Sequence, residues 1–519
     1  MRRHLFILTL SSLALLAACK PTPRTAAARK DTPATPPPAE AAEATTDQPA
    51  AEPPAPEARP AAGLLDIATT RQDYNQLRPW EKKNPNSGEF KGVYLGNGRV
   101  LTVGRAARAA TYVELSLPDH SRTVPARVVK FDDALGLALL TVEHAEDADL
   151  FENLTAHPVG EPLKLGDQAE LHTITPNLTP QHVAAEVESV NDSEPLPRPE
   201  LRTAKPVPME VGLPILQDGR LVALVDEYDS GQQSVTCINA EFINRFLDES
   251  TASGHGVPVL GVGMALLDDP AFRKYLKLDP AQGGIYVSKV QPGSAAQAAG
   301  LHVGDVITAV EGLPLDKLGR CIHPIYGLLE VQHVVRSLKP VGQQIKLSII
   351  RDGRQQEISA TLNRDAVEKG LLVEEAPGTA PRYVVWGGLV FQPITQNILE
   401  SLSNPPLSLL ELKDRVPELL AEGRQEIVVL TQVIPTPATL SYDTLGVCPV
   451  ERVNGKRVHS LAEFAELLDT PTEDGLVELT LSRPPYRIYM DRQAAEASND
   501  AIRRRAIPNL RRLGEGEAK

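Results

Sequence analysis

Short apolar runs separated by polar or glycine-containing turns make up residues 63–250 of the chain. Many short runs at this spacing predict an all-β region that closes into a pair of barrels. The predicted strands are Gly92–Leu95, Val100–Val103, Tyr112–Leu117, Ala126–Lys130, Leu137–Val142, Gln168–Ile174, Val183–Val190 and Arg220–Val225. Asp218-Gly219, between the apolar runs Leu213–Leu216 and Leu221–Leu224, predicts a tight hairpin turn, and Phe242–Asp248 predicts a closing helix.

The pattern changes in residues 257–363, where predicted strands alternate with predicted helices. The elements are a strand beginning at Gly283–Val287, a short helix opened by Pro292–Ala296 and stopped by Gly300, a strand and turn over Gly304–Gly312, a helix over Leu328–Leu338, and a strand over Ile345–Arg351. This order predicts a second, mixed domain.

Residues 370–512 repeat this order loosely, which indicates a divergent duplication. Gly387–Phe391 opens the third domain, Val450–Gly455 echoes a strand and turn of the second, and Leu461–Leu468 is a predicted helix. The segment Ser401–Arg424 is a long insertion. It is expected to cover a binding groove or to meet a neighbouring subunit.

The first residues have the order of an export signal. Arg2 and Arg3 precede an apolar run, Leu5–Leu16, that is too short to span a bilayer as a helix. The following Leu16-Ala17-Ala18-Cys19 resembles the lipobox of bacterial lipoproteins, which implies removal of residues 1–18 and lipidation of Cys19. The alternative is an ordinary secretory signal with an incidental cysteine. Because Lys20 follows, the resemblance implies anchoring on the periplasmic side of the outer membrane.

Residues 19–62 are rich in alanine and proline and contain almost no large apolar side chains. Such a segment cannot bury a core, so it predicts a disordered tether after the lipidated cysteine.

Charge and cysteine content exclude several classes of function. The formal net charge is −14, which argues against nucleic-acid binding and against broad contact with anionic lipid. Cys237, Cys321 and Cys448 form an odd set in separate regions and are expected to be free buried thiols.

The histidines are interpreted as scattered, and no metal site and no cofactor are predicted. Five of them are expected on turns and strand ends, His120, His144, His157, His172 and His182, and two lack the spacing of a metal site backed by further ligands, His323 and His333.

Several short phrases resemble the HtrA/Deg family, in which a trypsin-like domain is followed by PDZ domains. The framework phrases are Pro79-Trp80, Gly92-Val93, Leu101-Thr102, Leu137–Leu140, Gly166-Asp167 and Gly212-Leu213-Pro214; the PDZ phrases are Val259–Val262, Val290–Ala296 and Ala299–Gly312; and Trp386–Phe391, Met490-Asp491-Arg492 and Ile507-Pro508 are similar to the terminal domain of the plant-type Deg branch. The resemblance covers nearly everything after the tether. It implies a mostly β fold with some α structure: a trypsin-like double β-barrel followed by two PDZ-like α+β domains.

The chain departs from this family in its chemistry. The histidine, aspartate and serine of the family fall on Arg105, Gly136 and Val211. A serine attacks only when a base takes its proton, whereas arginine stays protonated and valine has no oxygen. A Glu210 carboxylate beside the turn would also oppose a developing oxyanion. We therefore expect a pseudoprotease and not an enzyme.

A PDZ domain binds an extended peptide as an added strand and holds its terminal carboxylate with backbone N–H groups of a glycine-containing loop. Leu260, Gly261, Val262 and Gly263 fit this loop, and Val331, Val334, Val335 and Leu338 would line the apolar pocket at helical spacing. The alternative is that these helix residues, Val335 above all, are ordinary core residues. In the third domain, Gly387, Gly388, Leu389 and Val390 are candidates for the same part. The expected ligand is a peptide with an apolar C-terminus.

Three hypotheses of function follow. The leading one is a membrane-anchored pseudoprotease that binds C-terminal or unfolded segments of envelope proteins as an adaptor, scaffold or holdase in protein quality control. The alternatives are an active HtrA/Deg-type serine endopeptidase and a regulatory subunit of an active paralogue. The resemblance also implies a homotrimer formed through the protease domains, on which the sequence itself is silent.

Overall fold

The computed structural model describes residues 63–193, 195–248, 257–364, 371–373, 375, 378–505 and 507–514. The predicted signal peptide, Cys19 and the tether lie outside the described residues. None of the helices described is both long enough and apolar enough to cross a membrane.

The first barrel contains six strands that close in the order β1-β2-β3-β6-β5-β4. Its elements are β1 Leu64–Arg71, β2 Asn86–Gly96, β3 Arg99–Val103, helix α1 Gly104–Ala107, β4 Ala110–Ser116, β5 Thr123–Asp132, β6 Leu137–Val142 and a 3₁₀ helix over Ala145–Phe151. Alternating side chains such as Ile67, Val100, Leu115 and Leu140 fill the interior, since every second residue of a strand faces the same side.

A second six-stranded barrel closes in the order β10-β11-β12-β9-β8-β7. Its elements are β7 Gln168–Ile174, β8 Pro180–Asn191, β9 Arg198–Thr203, β10 Pro214–Gln217, β11 Arg220–Asp229, β12 Ser234–Asn239 and helix α2 Ala240–Leu247. The predicted pair of barrels is confirmed. The apolar pattern does not predict β1, β9 or β12. In β9, Leu201 is the only aliphatic residue of a kind common in strands, so no alternation of apolar and polar residues is visible in its sequence.

The second domain contains a six-stranded sheet, in which five strands follow the order β13-β14-β15-β19-β20 and β16 pairs with β15, and a separate β17-β18 hairpin. Its elements are β13 Val262–Ala265, α3 Pro270–Tyr275, β14 Ile285–Val290, α4 Ala295–Ala298, β15 Val306–Val310, β16 Leu313–Pro314, β17 Arg320–His323, β18 Gly327–Glu330, α5 Val331–Leu338, β19 Gln344–Arg351 and β20 Arg354–Thr361. The predicted start of a helix at Leu328 is wrong. Leu328 and Leu329 alternate between exposed and buried in β18, and the helix begins at Val331.

The third domain has the sheet order β27-β26-β24-β23-β22-β21-β28, with β25 beside β24. Its elements are β21 Tyr383–Trp386, β22 Leu389–Pro393, α6 Gln396–Ser401, α7 Leu407–Leu410, α8 Leu412–Ala421, β23 Val428–Val433, a 3₁₀ helix over Pro437–Thr439, β24 Cys448–Val453, β25 Lys456–Arg457, α9 Leu461–Asp469, β26 Leu476–Leu481, β27 Arg487–Asp491, α10 Arg492–Arg505 and β28 Arg511–Arg512. The path β22-β23-β24-β26-β27 matches β13-β14-β15-β19-β20 of the second domain, and β21 and β28 are additions at one edge.

The insertion Ser401–Arg424 forms α7 and α8. Its buried residues Leu409, Leu412 and Leu419 share an apolar cluster with Ile394 and Ile398, and Leu77 from the segment between β1 and β2 packs against this cluster. The insertion therefore packs on a small core of its own. The insertion does not cover the edge of β22 that an added peptide strand would use, because β21 is already paired with that edge.

Candidate functional site

The positions that carry Arg105 and Gly136 are neighbours at the junction of the two barrels. β3 pairs with β6 so that Val103 lies opposite Leu137, and the Gly104 N–H donates to the Gly136 carbonyl at 2.7 Å. Because α1 begins at Gly104, immediately after β3, Arg105 projects from the first turn after the strand.

Arg105 reaches across the junction to the second barrel. Its guanidinium Nη2 lies 2.8 Å from Asp226 Oδ1 and also contacts the Asp226 carbonyl oxygen. The turn that carries Val211 is tied to the same place, since the Gly212 N–H donates to the Val225 carbonyl at 2.8 Å and the Val225 N–H donates to the Leu213 carbonyl at 2.9 Å. The structure thus brings all three predicted positions to one junction.

A second guanidinium lies where a side chain at position 136 would project. Gly136 has φ +73°, and a Cβ built there would lie 3.2 Å from Arg198 Nη2 and 3.4 Å from Ile238 Cδ1. Arg198 is buried and donates from Nη2 to the Leu135 carbonyl at 3.2 Å. The left-handed backbone and this close packing favour glycine at position 136.

The Val211 turn is held against β2 by both backbone and side-chain contacts. Lys91 N–H donates to the Val211 carbonyl at 2.8 Å, while Lys91 Nζ lies 2.6 Å from Asp66 Oδ1 and 3.2 Å from Glu210 Oε1. Burial lowers the pKa of Lys91, but the two carboxylates outweigh it and the net effect raises that pKa above its ordinary value. The predicted Glu210 carboxylate is therefore present beside the turn, paired with an ammonium group.

The close approach of the turn to β2 requires glycine at position 212. Gly212 has φ +93°, and a Cβ on it would lie 2.1 Å from the Lys91 carbonyl oxygen. That carbonyl also accepts a hydrogen bond from the Thr102 hydroxyl at 2.8 Å. The exposed His120 approaches the rim of this cluster, with Nε2 4.0 Å from Asp66 Oδ2.

In the contacts described at this junction, charged groups pair with one another and no imidazole contacts a hydroxyl. The groups are Arg105 with Asp226 and Lys91 with Asp66 and Glu210. An arrangement of this kind can hold the two barrels together by charge. It does not supply the base that a nucleophile of the serine type requires.

The second domain has an open depression between β13 and α5. Its lining includes Leu260, Gly261, Val262 and Val331, as predicted, together with Pro258, Val259, Met264, Gln291, Ile307, Val310, Gln332, Val335, Arg336 and Leu347. Among the described residues β13 is the outer strand of its sheet and pairs on one side only, so its other side can accept an added strand.

Three residues predicted for this groove do not line it. Gly263 pairs with Lys289 inside the sheet, Val334 is fully buried, and Leu338 is at the last position of α5. Val335, four residues after Val331 and on the same helix face, does line the groove, although a core role was the alternative for it. The prediction that Val334 and Leu338 line the groove is wrong. Apolar residues lie on more than one face of this helix, so the sequence alone does not show which face borders the groove.

The loop before β13 has backbone donors available. The carbonyls of Leu260 and Gly261 accept from the N–H groups of Ala296 and Gln291, each at 2.9 Å. Across the part of the chain that the structure describes, no carbonyl or side chain accepts from the N–H of Leu260 or Gly261. Gly261 has φ +76°, and a Cβ there would lie 2.3 Å from the Ser294 Cβ, so only glycine fits this loop.

In the third domain, the corresponding strand β22 has both of its edges paired. β22 pairs with β23 on one side and with β21 on the other, where Trp386 lies opposite Leu389 and Val385 opposite Val390. Leu389 and Val390 are fully buried. The predicted peptide site at Gly387, Gly388, Leu389 and Val390 is therefore corrected: the glycines form a hairpin turn at positive φ, and the other two residues belong to an interior strand.

β21 takes the place that a ligand would need beside α9. Val384 and Trp386 of β21 share a core with Leu461, Phe464 and Leu468 of α9. The ring of Trp80, from the segment between β1 and β2, packs edge-on against Tyr383 at 6.0 Å between centroids. No sequence signal marks this arrangement, because a strand of four residues has no readable periodicity.

Comparison with known protein families supports this assignment of domains. A family model described as PDZ domain matches residues 258–362, and a second model of the same description matches residues 374–511.

Among curated proteins, the chain is 26% identical over 428 residues to "Protease Do-like 2, chloroplastic" of Arabidopsis thaliana, covering 79% of this chain and 67% of that protein. It is 21% identical over 426 residues to "Putative protease Do-like 11, mitochondrial" of the same plant, covering 79% and 68%. A shorter match, 34% identical over 93 residues, joins it to "Periplasmic serine endoprotease DegP" of Escherichia coli (strain K12), covering 18% of this chain and 17% of DegP.

Among solved structures, "HtrA-type protease AlgW with decapeptide" aligns at 18% identity and a TM-score of 0.42, covering 59% of this chain and 96% of that one. The curated relatives and the two PDZ matches by themselves confirm the expected similarity to HtrA/Deg proteins, including the plant Deg branch.

Proposed function

We propose that this chain, a PDZ-containing relative of the HtrA/Deg proteases, binds C-terminal or unfolded segments of other proteins and does not hydrolyse them. The observation that carries the proposal is the pairing of Arg105 with Asp226 across the barrel junction. A permanently protonated guanidinium held by a carboxylate cannot accept a proton from a nucleophile.

Binding is assigned to the second domain. The outer edge of β13 is the edge that would supply main-chain hydrogen bonds. Leu260 and Gly261 line the groove, and their N–H groups have no acceptor among the described residues, while Val331 and Val335 provide an apolar wall. These features suit a peptide that ends in an apolar residue with a free carboxylate.

The proposed setting is the bacterial cell envelope. Lipidation of Cys19 would fix the chain to the periplasmic face of the outer membrane, with residues 20–62 as a tether. There the chain would act as an adaptor, scaffold or holdase in protein quality control. Fatty-acid labelling of the chain, lost in C19S, is the direct test of the anchor; labelling that survives C19S contradicts it.

An active endopeptidase is the second candidate, because curated relatives that match 79% of this chain bear the name protease. The two candidates separate in an assay with a fluorophosphonate probe, which labels activated serines, and with unfolded casein as substrate. We expect neither labelling nor casein turnover by the full chain, whereas an active DegP in a parallel sample gives both. Labelling or turnover that co-elutes with the chain would refute the proposal.

A further inference from the structure

Three side chains of metal-binding type meet on the outer face of the second barrel. Glu170 and His172 are two residues apart on β7 and therefore project from the same face. His182 of β8 lies directly opposite His172 in the antiparallel register. The interpretation of these histidines as scattered is wrong for this pair, because strand register, which the sequence does not display, brings them together.

The barrel core fixes the direction of all three. Ala169, Leu171, Val183 and Ala185, which alternate with them along β7 and β8, are buried in the interior of the barrel. A shift of one residue in the pairing of either strand would turn its polar side chains into the barrel interior. These buried neighbours therefore strongly determine the register. The site is thus held on two paired strands and not on loops.

The distances suit a single ion. Glu170 Oε2 lies 3.4 Å from His172 Nε2 and 3.5 Å from His182 Nδ1, and one ligand atom from each of the three residues lies within 4.8 Å of the others. Two ligands of a tetrahedral Zn²⁺ with bonds of about 2.0–2.2 Å are separated by about 3.3–3.6 Å. The imidazole rings are stacked, with centroids 3.9 Å apart and planes at 27°.

We propose that Glu170, His172 and His182 bind a divalent transition-metal ion of the zinc type, with the fourth position left to water. Nitrogen and oxygen donors in this combination suit Zn²⁺ and its neighbours, whereas Mg²⁺ and Ca²⁺ prefer oxygen ligands alone. Binding requires the two rings to turn out of their stack so that both lone pairs converge on the ion.

The site is accessible and partly preformed. The side chains of Glu170 and His182 are 57% and 51% exposed, whereas that of His172 is 18% exposed. An ion can therefore enter from solvent on the side of Glu170 and His182, while His172 is held by its surroundings.

The test is calorimetric titration of ZnCl₂ into the full chain after removal of metal by a chelator, with MgCl₂ as the comparison salt. We expect one Zn²⁺ per chain, no comparable binding of Mg²⁺, and at least about tenfold weaker Zn²⁺ binding in H182Q, because even outer-shell losses weaken metal sites about 10- to 100-fold. H144Q, which removes an exposed histidine from the loop after β6, is the matched control and should bind as the parent does.

Thermal unfolding separates loss of a ligand from loss of folding. Zn²⁺ should raise the unfolding midpoint of the parent and of H144Q but not that of H182Q or E170Q, while all four share one midpoint without metal. Equal Zn²⁺ affinity in the parent and H182Q, or no saturable binding by the parent, would overturn the proposal.

Discussion

At the scale of single residues, the barrel junction is specified by charge pairs that the sequence shows only in part. The resemblance to the HtrA/Deg family is what implies that Arg105, Gly136 and Val211 meet. The partner of Arg105 is not predictable, because Asp226 is separated from it by 121 residues and no local pattern links them. The same holds for Lys91, whose two carboxylate partners come from different strands and turns.

Gly212 provides a residue-scale prediction about the turn that carries Val211. In G212A, the new methyl group meets the Lys91 carbonyl at 2.1 Å and the residue keeps a left-handed φ. We expect the free energy of unfolding to fall by about 2–5 kcal/mol, from about 1–2 kcal/mol of backbone strain and about 1–3 kcal/mol of overpacking.

Gly219 supplies the matched control for this substitution. It also has positive φ, at +75°, but a Cβ at this position would meet no heavy atom within 4 Å, so G219A should lose only about 1–2 kcal/mol. Differential scanning calorimetry of both variants makes the comparison. Equal losses would show that the turn is not packed against β2 as described.

At the scale of elements, strand pairing decides which PDZ groove is available. The pattern predicts both domains and most strands correctly, yet it places a peptide site on β22. It fails there because β21, a strand of four residues with no readable periodicity, pairs with β22 through a two-residue turn. The strand β28 on the other side of β21 comes from far along the chain, and Tyr383 lies opposite Arg512. The prediction of which face of α5 lines the groove fails for a different reason. The helix is apolar at Val331, Val334 and Val335, and only the packing of the domain decides which of them borders the groove.

The contact between helix α2 and the second domain predicts a dependence on pH. Tyr326 donates its hydroxyl to Glu241 Oε1 at 2.8 Å and accepts from Asn239 Nδ2 at 3.2 Å. Burial raises the pKa of Glu241 to about 7, against the opposing effects of Tyr326 and Arg245. The folded chain therefore holds a proton on Glu241 that the unfolded chain, with a pKa of about 4.3, gives up.

The sign of this dependence follows from linkage. Between about pH 4.3 and 7 the folded state binds more protons at Glu241 than the unfolded state, so the contribution is greatest at low pH and falls as pH rises through about 7. E241Q keeps an acceptor for Tyr326 but cannot ionise. The unfolding midpoint of E241Q should rise relative to that of the parent between pH 5 and pH 8. The midpoint of E152Q, at an exposed position, should change with pH as that of the parent does. A constant difference between parent and E241Q over this range would contradict the assignment.

At the scale of the whole molecule, the two PDZ domains have different parts. The third domain is tied to the segment between β1 and β2, where Gln392 Nε2 donates to the Gln76 carbonyl at 3.1 Å and Arg512 donates to the Pro79 carbonyl at 3.3 Å. The edge of β22, where a peptide would have to add, is paired with β21 of the same domain. The second domain contacts helix α2 and leaves its groove open, so ligand binding is expected there alone.

The most direct test of the account is one fluorescence anisotropy experiment on the full chain with a labelled peptide that has three apolar C-terminal residues. The free acid should bind, and the amidated peptide should bind at least about tenfold more weakly, since hydrogen bonds to a charged group contribute about 1.5–3 kcal/mol. M264K, which places a charge in the groove, should weaken binding, whereas V303K, at an exposed position of the same domain, should not. The anisotropy of the bound free acid should stay constant for hours. Equal affinity for acid and amide, or anisotropy that decays as the peptide is cut, would contradict a carboxylate-binding protein without hydrolytic activity.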